Sequence, residues 1–184
     1  GVGEWIETLE AIINESPHHI STYELTIHNG TAMSHMIDEG QIHIPSDEVI
    51  QEMYLKGAEL LETNGFKQYE ISNFSLSGYM CKHNLNYWLR QRYIGIGAGA
   101  YSFDGNKRFS NVEDVDRYIY AISSGTTDIQ CCTHINDTDM NRERIFLGLR
   151  MTSGIDISLI KCSDEVLEML LLQDLITIER NHIK

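Results

Sequence analysis

The sequence is poor in proline, in cysteine at metal-binding spacing, in long apolar runs and in basic charge. With only Pro17 and Pro45 among 184 residues and no low-complexity tract, it holds no proline-rich linker, and 42% hydrophobic residues suffice for a core. Cys81, Cys131, Cys132 and Cys162 form neither a CxxC pair nor a CxxxCxxC triplet. Their spacing therefore offers no zinc site, iron–sulfur site or disulfide framework, and they read as free thiols in a reducing compartment. No apolar run approaches the roughly 20 residues needed to cross a bilayer, and the N-terminus lacks a basic, apolar, small-residue leader pattern. The expected location is cytoplasmic. Fourteen Lys and Arg against 27 Asp and Glu give a net charge of −13, which argues against gripping nucleic-acid phosphates or an anionic membrane face.

The charge is uneven, however. Between residues 79 and 110, Lys82, Arg90, Arg92, Lys107 and Arg108 face the single Asp104, a local net of +4. An anionic small molecule would find its positive charge there.

The order of elements points to an α/β fold. Trp5, Ile6, Leu9, Ile12 and Ile13 recur at helical spacing, and His19–Ile27 is rich in β-branched and aromatic residues as a strand is. A short helix over 32–39 follows, then a helix capped by Ser46 and stopped at Asn64-Gly65, then a strand over 66–73. Strand, helix, strand is the alternation of a parallel sheet under helices, so residues 1–75 read as the end of an α/β layer or barrel. Regular alternation stops over 75–110. Asn111, with Asp114 three residues on, is expected to cap a helix carrying Val115, Tyr118, Ile119 and Ile122 inward. Residues 123–136 resemble a linker. Helices are expected from Asp137 to Met151, with Met140, Ile145 and Leu149 inward, and after Ser163. The closing alternation at 175–179 suggests a winged-helix-like module over 131–184 whose second wing strand is missing. The missing initiator Met makes the chain look like a piece of something longer.

Three places could carry chemistry. In Cys81-Lys82-His83-Asn84-Leu85-Asn86-Tyr87-Trp88, a helical reading puts His83 beside Tyr87 and Asn84 beside Trp88. An imidazole next to flat rings suits a planar iron-bearing cofactor, while the same residues also suit a helix start with a core Trp. Gly95-Ile96-Gly97-Ala98-Gly99-Ala100 matches a dinucleotide fingerprint in letters but not in context. A strand entering an Asp104-Gly105 hairpin follows it instead of a helix. Finally, ligands of α/β sheets sit beyond strand ends, here Thr26-Ile27 and Ser72-Asn73, while Glu24 and Glu70 within the strands face either solvent or a partner.

The ordered series His19-Ile20-Ser21-x-Tyr23-x-Leu25-Thr26, Gly65-Phe66-x-x-Tyr69-Glu70-Ile71-Ser72-Asn73-Phe74, His83-Asn84-Leu85-x-Tyr87-Trp88, Gly95-x-Gly97-x-Gly99-Ala100-x-Ser102 and Leu147-Gly148-Leu149-Arg150 resembles the HemW family. These are radical S-adenosylmethionine proteins related to oxygen-independent coproporphyrinogen III dehydrogenase, from which the HNLNYW segment separates them. The resemblance implies the last βα units of a partial TIM-like barrel over 1–75, a family-specific region over 76–130 and the winged-helix-like module over 131–184. It implies haem at His83, Asn84, Tyr87 and Trp88, with His83 toward the iron, and S-adenosylmethionine near Tyr101 and Thr26. The family's acidic residue and proline after the first strand are replaced by His28 and Asn29.

The resemblance also implies a [4Fe–4S] cluster in the intact protein, on cysteines absent from this chain. Without them the chain alone is expected to do no radical chemistry, since reductive cleavage of the sulfonium needs an electron from the cluster. The leading expectation is a haem-binding chaperone that delivers haem to a client haem protein. The alternatives are oxidative decarboxylation of coproporphyrinogen III and a helical protein-interaction module over 131–184. Nucleic acid is not an expected partner, and membranes are expected only through clients.

Overall fold

A computed structural model describes residues 1–184, and the chain divides into two compact units, Gly1–Met80 and Cys81–Lys184.

The first unit contains helices α1 (Val2–Asn14), α2 (Ala32–Asp38) and α3 (Asp47–Thr63), with strands β1 (His19–Ser21), β2 (Lys67–Glu70) and β3 (Asn73–Ser75). Ser46 is the N-cap residue of α3, Asp47 and Glu48 complement the dipole of its first turn, and Gly65 leaves the helix at a φ of +86° that other residues avoid. α1 lies close against α3 because Gly57 has no side chain: a Cβ there would stand 2.7 Å from the Trp5 indole nitrogen, which donates to the Met53 carbonyl at 2.9 Å. Leu9, Leu61, Phe66, Ile20 and Phe74 form the core beneath this helix pair.

The sheet order is β1-β3-β2 with every pairing antiparallel, Ile20 opposite Phe74 and Gln68 opposite Phe74 on the other side. Two expectations are corrected here. The stretch read as one strand over 66–73 is a hairpin, because the Glu70 carboxylate accepts the Ser72 amide (2.8 Å) and the Asn73 side-chain amide and so reverses the chain. The pairing is consequently antiparallel where the alternation suggested a parallel sheet. The first strand also ends at Ser21; Tyr23 and Leu25 are about two-thirds exposed in irregular backbone, with no strand beside them to pair.

The second unit contains α4 (Lys82–Trp88), β4 (Tyr101–Phe103), β5 (Lys107–Asn111), α5 (Val115–Ser123), β6 (Ile129–His134), α6 (Asp137–Gly148), β7 (Ile155–Asp156), a 3-10 turn (Ile157–Leu159), α7 (Asp164–Leu172), β8 (Ile178–Glu179) and β9 (His182–Ile183). The β4–β5 hairpin is as expected: Asp104 accepts the amides of Asn106 and Lys107, with Gly105 at φ +110°. Asp114, not Asn111, caps α5 by accepting the Arg117 amide, because Asn111 is committed to β5. The linker-like stretch holds β6, which crosses position 130/131 and pairs with β5 to make the sheet β4-β5-β6. The strand expected to be missing at the C-terminus is present. Arg180 and Asn181 both take positive φ, turning β8 back into β9, and β9 joins β7 in the sheet β7-β9-β8.

Candidate functional site

Helix α4 carries the HNLNYW segment, begins after Cys81 and ends where Arg90 takes a φ of +54°. His83 is exposed on its first turn, and its ring meets Tyr87 edge-on with centroids 4.9 Å apart, as the four-residue spacing predicts. Tyr87 in turn contacts Tyr93 at 4.6 Å, and Tyr93 contacts the buried Phe103 at 6.1 Å. Asn84 and Trp88 are half-buried. The Trp88 ring packs under the Arg150 guanidinium at 4.4 Å, so it joins α4 to the end of α6. The segment thus presents an exposed His83 backed by a half-buried Tyr87 along one edge and a packed Trp88 along another.

Beneath the aromatic series lies a charge cluster. Arg90 and Arg108 both stack on the Phe103 ring, at 4.6 and 5.4 Å, and both bind the Glu143 carboxylate, at 2.7 and 2.8 Å. Burial pushes the Glu143 carboxyl up, but the two guanidinium hydrogen bonds outweigh it and hold the group below the usual carboxylate range. Both arginines belong to the basic window of the sequence, whereas Glu143 lies outside it. Apolar periodicity pointed Leu149 inward, whereas Leu149 is exposed and Glu143 buried. No apolar pattern signals a buried acid; its cue lay in the two cations of another segment.

The glycine segment is a loop held by side chains. Gly95 donates to Ser102 Oγ at 2.9 Å and Gly97 to the Tyr118 hydroxyl at 3.0 Å, while the Asn111 amide donates to the Gly95 and Gly97 carbonyls. Ile94 and Ile96 stand 85% and 87% exposed on this pinned backbone. Tyr101 opens β4 beside it, half-exposed.

Thr26 lies in the first unit, exposed on the wall of a cavity of about 870 Å³ lined mainly by apolar side chains including Trp5, Ile37, Ile50 and Met53. Glu24 is exposed on the same wall, whereas Glu70 is fully buried in the β2–β3 turn. Ser21 donates to Asn73 at 2.6 Å, and His19 Nε2 lies 2.9 Å from the Tyr69 hydroxyl. Burial lowers the His19 pKa, offset in part by the charge of Glu70. The unfolded chain therefore binds a proton that the folded unit resists. Stability should fall as pH drops below the ordinary value of 6.5, down to the lowered folded value. Urea midpoints of wild type and His19→Asn, compared between about pH 7 and about pH 5.5, should show a smaller acid loss in the variant. Equal losses would acquit His19.

No group of three or more His, Cys, Asp or Glu is placed to hold a metal ion, and Cys81, Cys131, Cys132 and Cys162 are free thiols. No helix is long and apolar enough to cross a membrane.

No protein-family model matches the chain. A Bacillus subtilis protein named heme chaperone HemW is 35% identical over 157 residues, 83% of this chain and 41% of that protein. A Danio rerio protein named radical S-adenosyl methionine domain-containing protein 1, mitochondrial, is 31% identical over 82% of this chain and 36% of its own length. Among solved structures, the coproporphyrinogen III oxidase HemN of Escherichia coli, titled a radical SAM enzyme, matches all of this chain and 48% of its own at a TM-score of 0.71 and 13% identity. The fold is therefore that of part of a radical SAM protein, and the chain spans about two fifths of the length of the curated relatives it matches. By its sequence the chain belongs to the HemW family of radical S-adenosylmethionine proteins.

Proposed function

We propose that the chain is the haem-binding, C-terminal part of a haem chaperone, with the site on helix α4. One observation carries this reading: His83 stands exposed on α4 with its ring braced edge-on by Tyr87. A neutral imidazole offers iron a nitrogen lone pair, and haem, when bound, supplies the open coordination position that such a ligand fills. Tyr87 restricts the His83 ring and offers a flat neighbour, while Asn84 lies on the next position of the helix. Trp88, the fourth residue of the haem reading, also anchors the helix through Arg150. Lys82, Arg92 and Lys107 supply positive charge in the same segment for propionate carboxylates.

In the intact protein, the region over 1–75 would complete a partial TIM-like barrel, with Thr26 and Tyr101 toward S-adenosylmethionine. The [4Fe–4S] cluster would be held by residues outside this chain. The order α6, β7, α7, β8, β9 with sheet order β7-β9-β8 supports a winged-helix-like reading of 131–184. Delivery would run in the cytoplasm to a client haem protein, without nucleic acid. A second reading, oxidation of coproporphyrinogen III by the intact protein, draws on the fold likeness to HemN. Incubating the full-length protein with coproporphyrinogen III, reductant and S-adenosylmethionine separates the two, since protoporphyrinogen IX forms only under the second.

The direct test is a haemin titration of the chain followed in the Soret region. Wild type should give a saturable shifted band, and His83→Ala should lower affinity about 10-fold or more and change the band position. Equal affinity and spectrum in the two proteins would remove His83 as the ligand.

A further inference from the structure

We infer that Glu143 is a positioning residue for the haem helix: by clamping Arg90 and Arg108 it fixes where α4 ends and so where His83 stands. The inference rests on the haem reading above and deepens it. Glu143 is the one acidic group reaching into the basic segment from α6, and its two carboxylate oxygens are divided between the two cations, Oε2 to Arg90 Nε and Oε1 to Arg108 Nη1. Arg90 directly follows the C-terminal cap of α4 and sits in the left-handed region at φ +54°, a conformation that costs energy for a side-chain-bearing residue and needs outside contacts to hold it. Those contacts are Glu143, the Gly105 carbonyl and the face of Phe103. Phe103 touches Tyr93, Tyr93 touches Tyr87, and Tyr87 touches His83, so the clamp continues ring by ring to the exposed imidazole.

The alternative, that Glu143 merely neutralises two arginines, does not account for the asymmetry. Arg108 lies in β5, where the ladder already places it, whereas Arg90 has a strained backbone at the helix exit and a side chain as buried as that of Glu143. Removing the carboxylate leaves Arg90 without its charge partner at the point where α4 must stop, and the last turn is then free to continue or fray. The effect on the ligand is indirect. The imidazole is unchanged, but it is presented in several poses instead of one.

The full 184-residue chain carries the test. In a haemin titration, Glu143→Gln should weaken binding about 10-fold and broaden or shift the Soret band, and Glu143→Asp should recover most of the loss. In a His83→Ala background, Glu143→Gln should add almost nothing, because a residue acting through His83 has nothing left to place. An equal loss in both backgrounds, or wild-type affinity and spectrum in a folded Glu143→Gln, overturns the inference. Hydrogen exchange without haem separates its failure from that of the haem reading. Glu143→Gln should speed exchange of the Leu85 and Leu89 amides, which bond the Cys81 and Leu85 carbonyls, and leave the α1 and α3 amides unchanged. Unchanged α4 exchange refutes the clamp, whereas faster α4 exchange in a chain whose wild type shows no His83-dependent band refutes only the haem reading. Should Glu143→Gln fail to fold, Arg90→Gln, which opens the same clamp from the cation side and leaves Glu143 paired with Arg108, carries the same comparisons.

Discussion

Phe74→Ala is expected to cost the Gly1–Met80 unit about 3–5 kcal/mol, enough to leave much of it unfolded at room temperature. Phe74 is 1% exposed, the central residue of the central strand, flanked across the ladder by Ile20 and Gln68 and packed with Leu9, Leu61 and Phe66. Truncation removes a large apolar side chain from a core of five buried residues and leaves a cavity. Neither helix can close it, because the Gly57 contact already holds α1 and α3 at their nearest approach. Leu55→Ala removes a side chain of the same class from the exposed face of α3 and should cost no more than about 0.5 kcal/mol. The two tryptophans make the measurement selective, since Trp5 reports on this unit and Trp88 on the other. In a Trp88→Phe background, urea unfolding followed by Trp5 fluorescence should show a large drop in midpoint for Phe74→Ala and almost none for Leu55→Ala. Similar midpoints for the two variants would mean that the core does not centre on this strand.

The contrast between these leucine and phenylalanine positions shows what the sequence could convey. Helices α1, α3, α6 and α7 were legible because helical spacing acts within a turn or two, although α6 ends at Gly148, short of Met151, and leaves Leu149 exposed; at α7 the cap was legible too, since Ser163 accepts the Val166 amide where its position suggested. The hairpin at Asp104-Gly105 was legible for the same reason. Strand partners were not, because pairing is decided by residues distant in the chain. Two strands in the right order suggested a parallel sheet, and the reversal rests on one buried carboxylate, Glu70, whose bonds to Ser72 and Asn73 are a feature of three-dimensional placement. β6 was hidden for a related reason. All six of its residues are exposed, so it carries no alternation to read, and only the ladder with β5 defines it. At the candidate site, the His83/Tyr87 contact followed from helical spacing alone, while the Glu143 clamp joins residues 53 and 35 positions apart and left no local trace.

Gly95→Ala is expected to be the most damaging single change in the glycine loop, costing the Cys81–Lys184 unit about 3 kcal/mol. A Cβ at this position would stand 2.1 Å from the Tyr101 carbonyl oxygen and 2.7 Å from its carbon, and both are backbone atoms. They cannot retreat cheaply. Tyr101 is paired with Ser110 in the β4–β5 ladder, and Gly95 is itself tied by Ser102 and Asn111. The loop must therefore peel from β4, giving up the hydrogen bonds of Gly95 and loosening those of Gly97. Gly99 provides the internal comparison, because its backbone is left-handed at φ +70° but a Cβ there would make only ordinary contacts with Glu113, at 3.5 Å from its flexible Cγ and 3.9 Å from its Cα. Gly99→Ala should cost only the conformational strain, about 1–2 kcal/mol. Thermal unfolding followed by Trp88 fluorescence in a Trp5→Phe background would rank the two. If Gly99→Ala proved the worse, the loop would be governed by its backbone angles. If Gly95→Ala is the worse, the glycine at 95 exists for close approach: a backbone laid directly on β4 keeps Ile94 and Ile96 projecting outward at fixed positions, beside Tyr101, which no larger residue at 95 would allow.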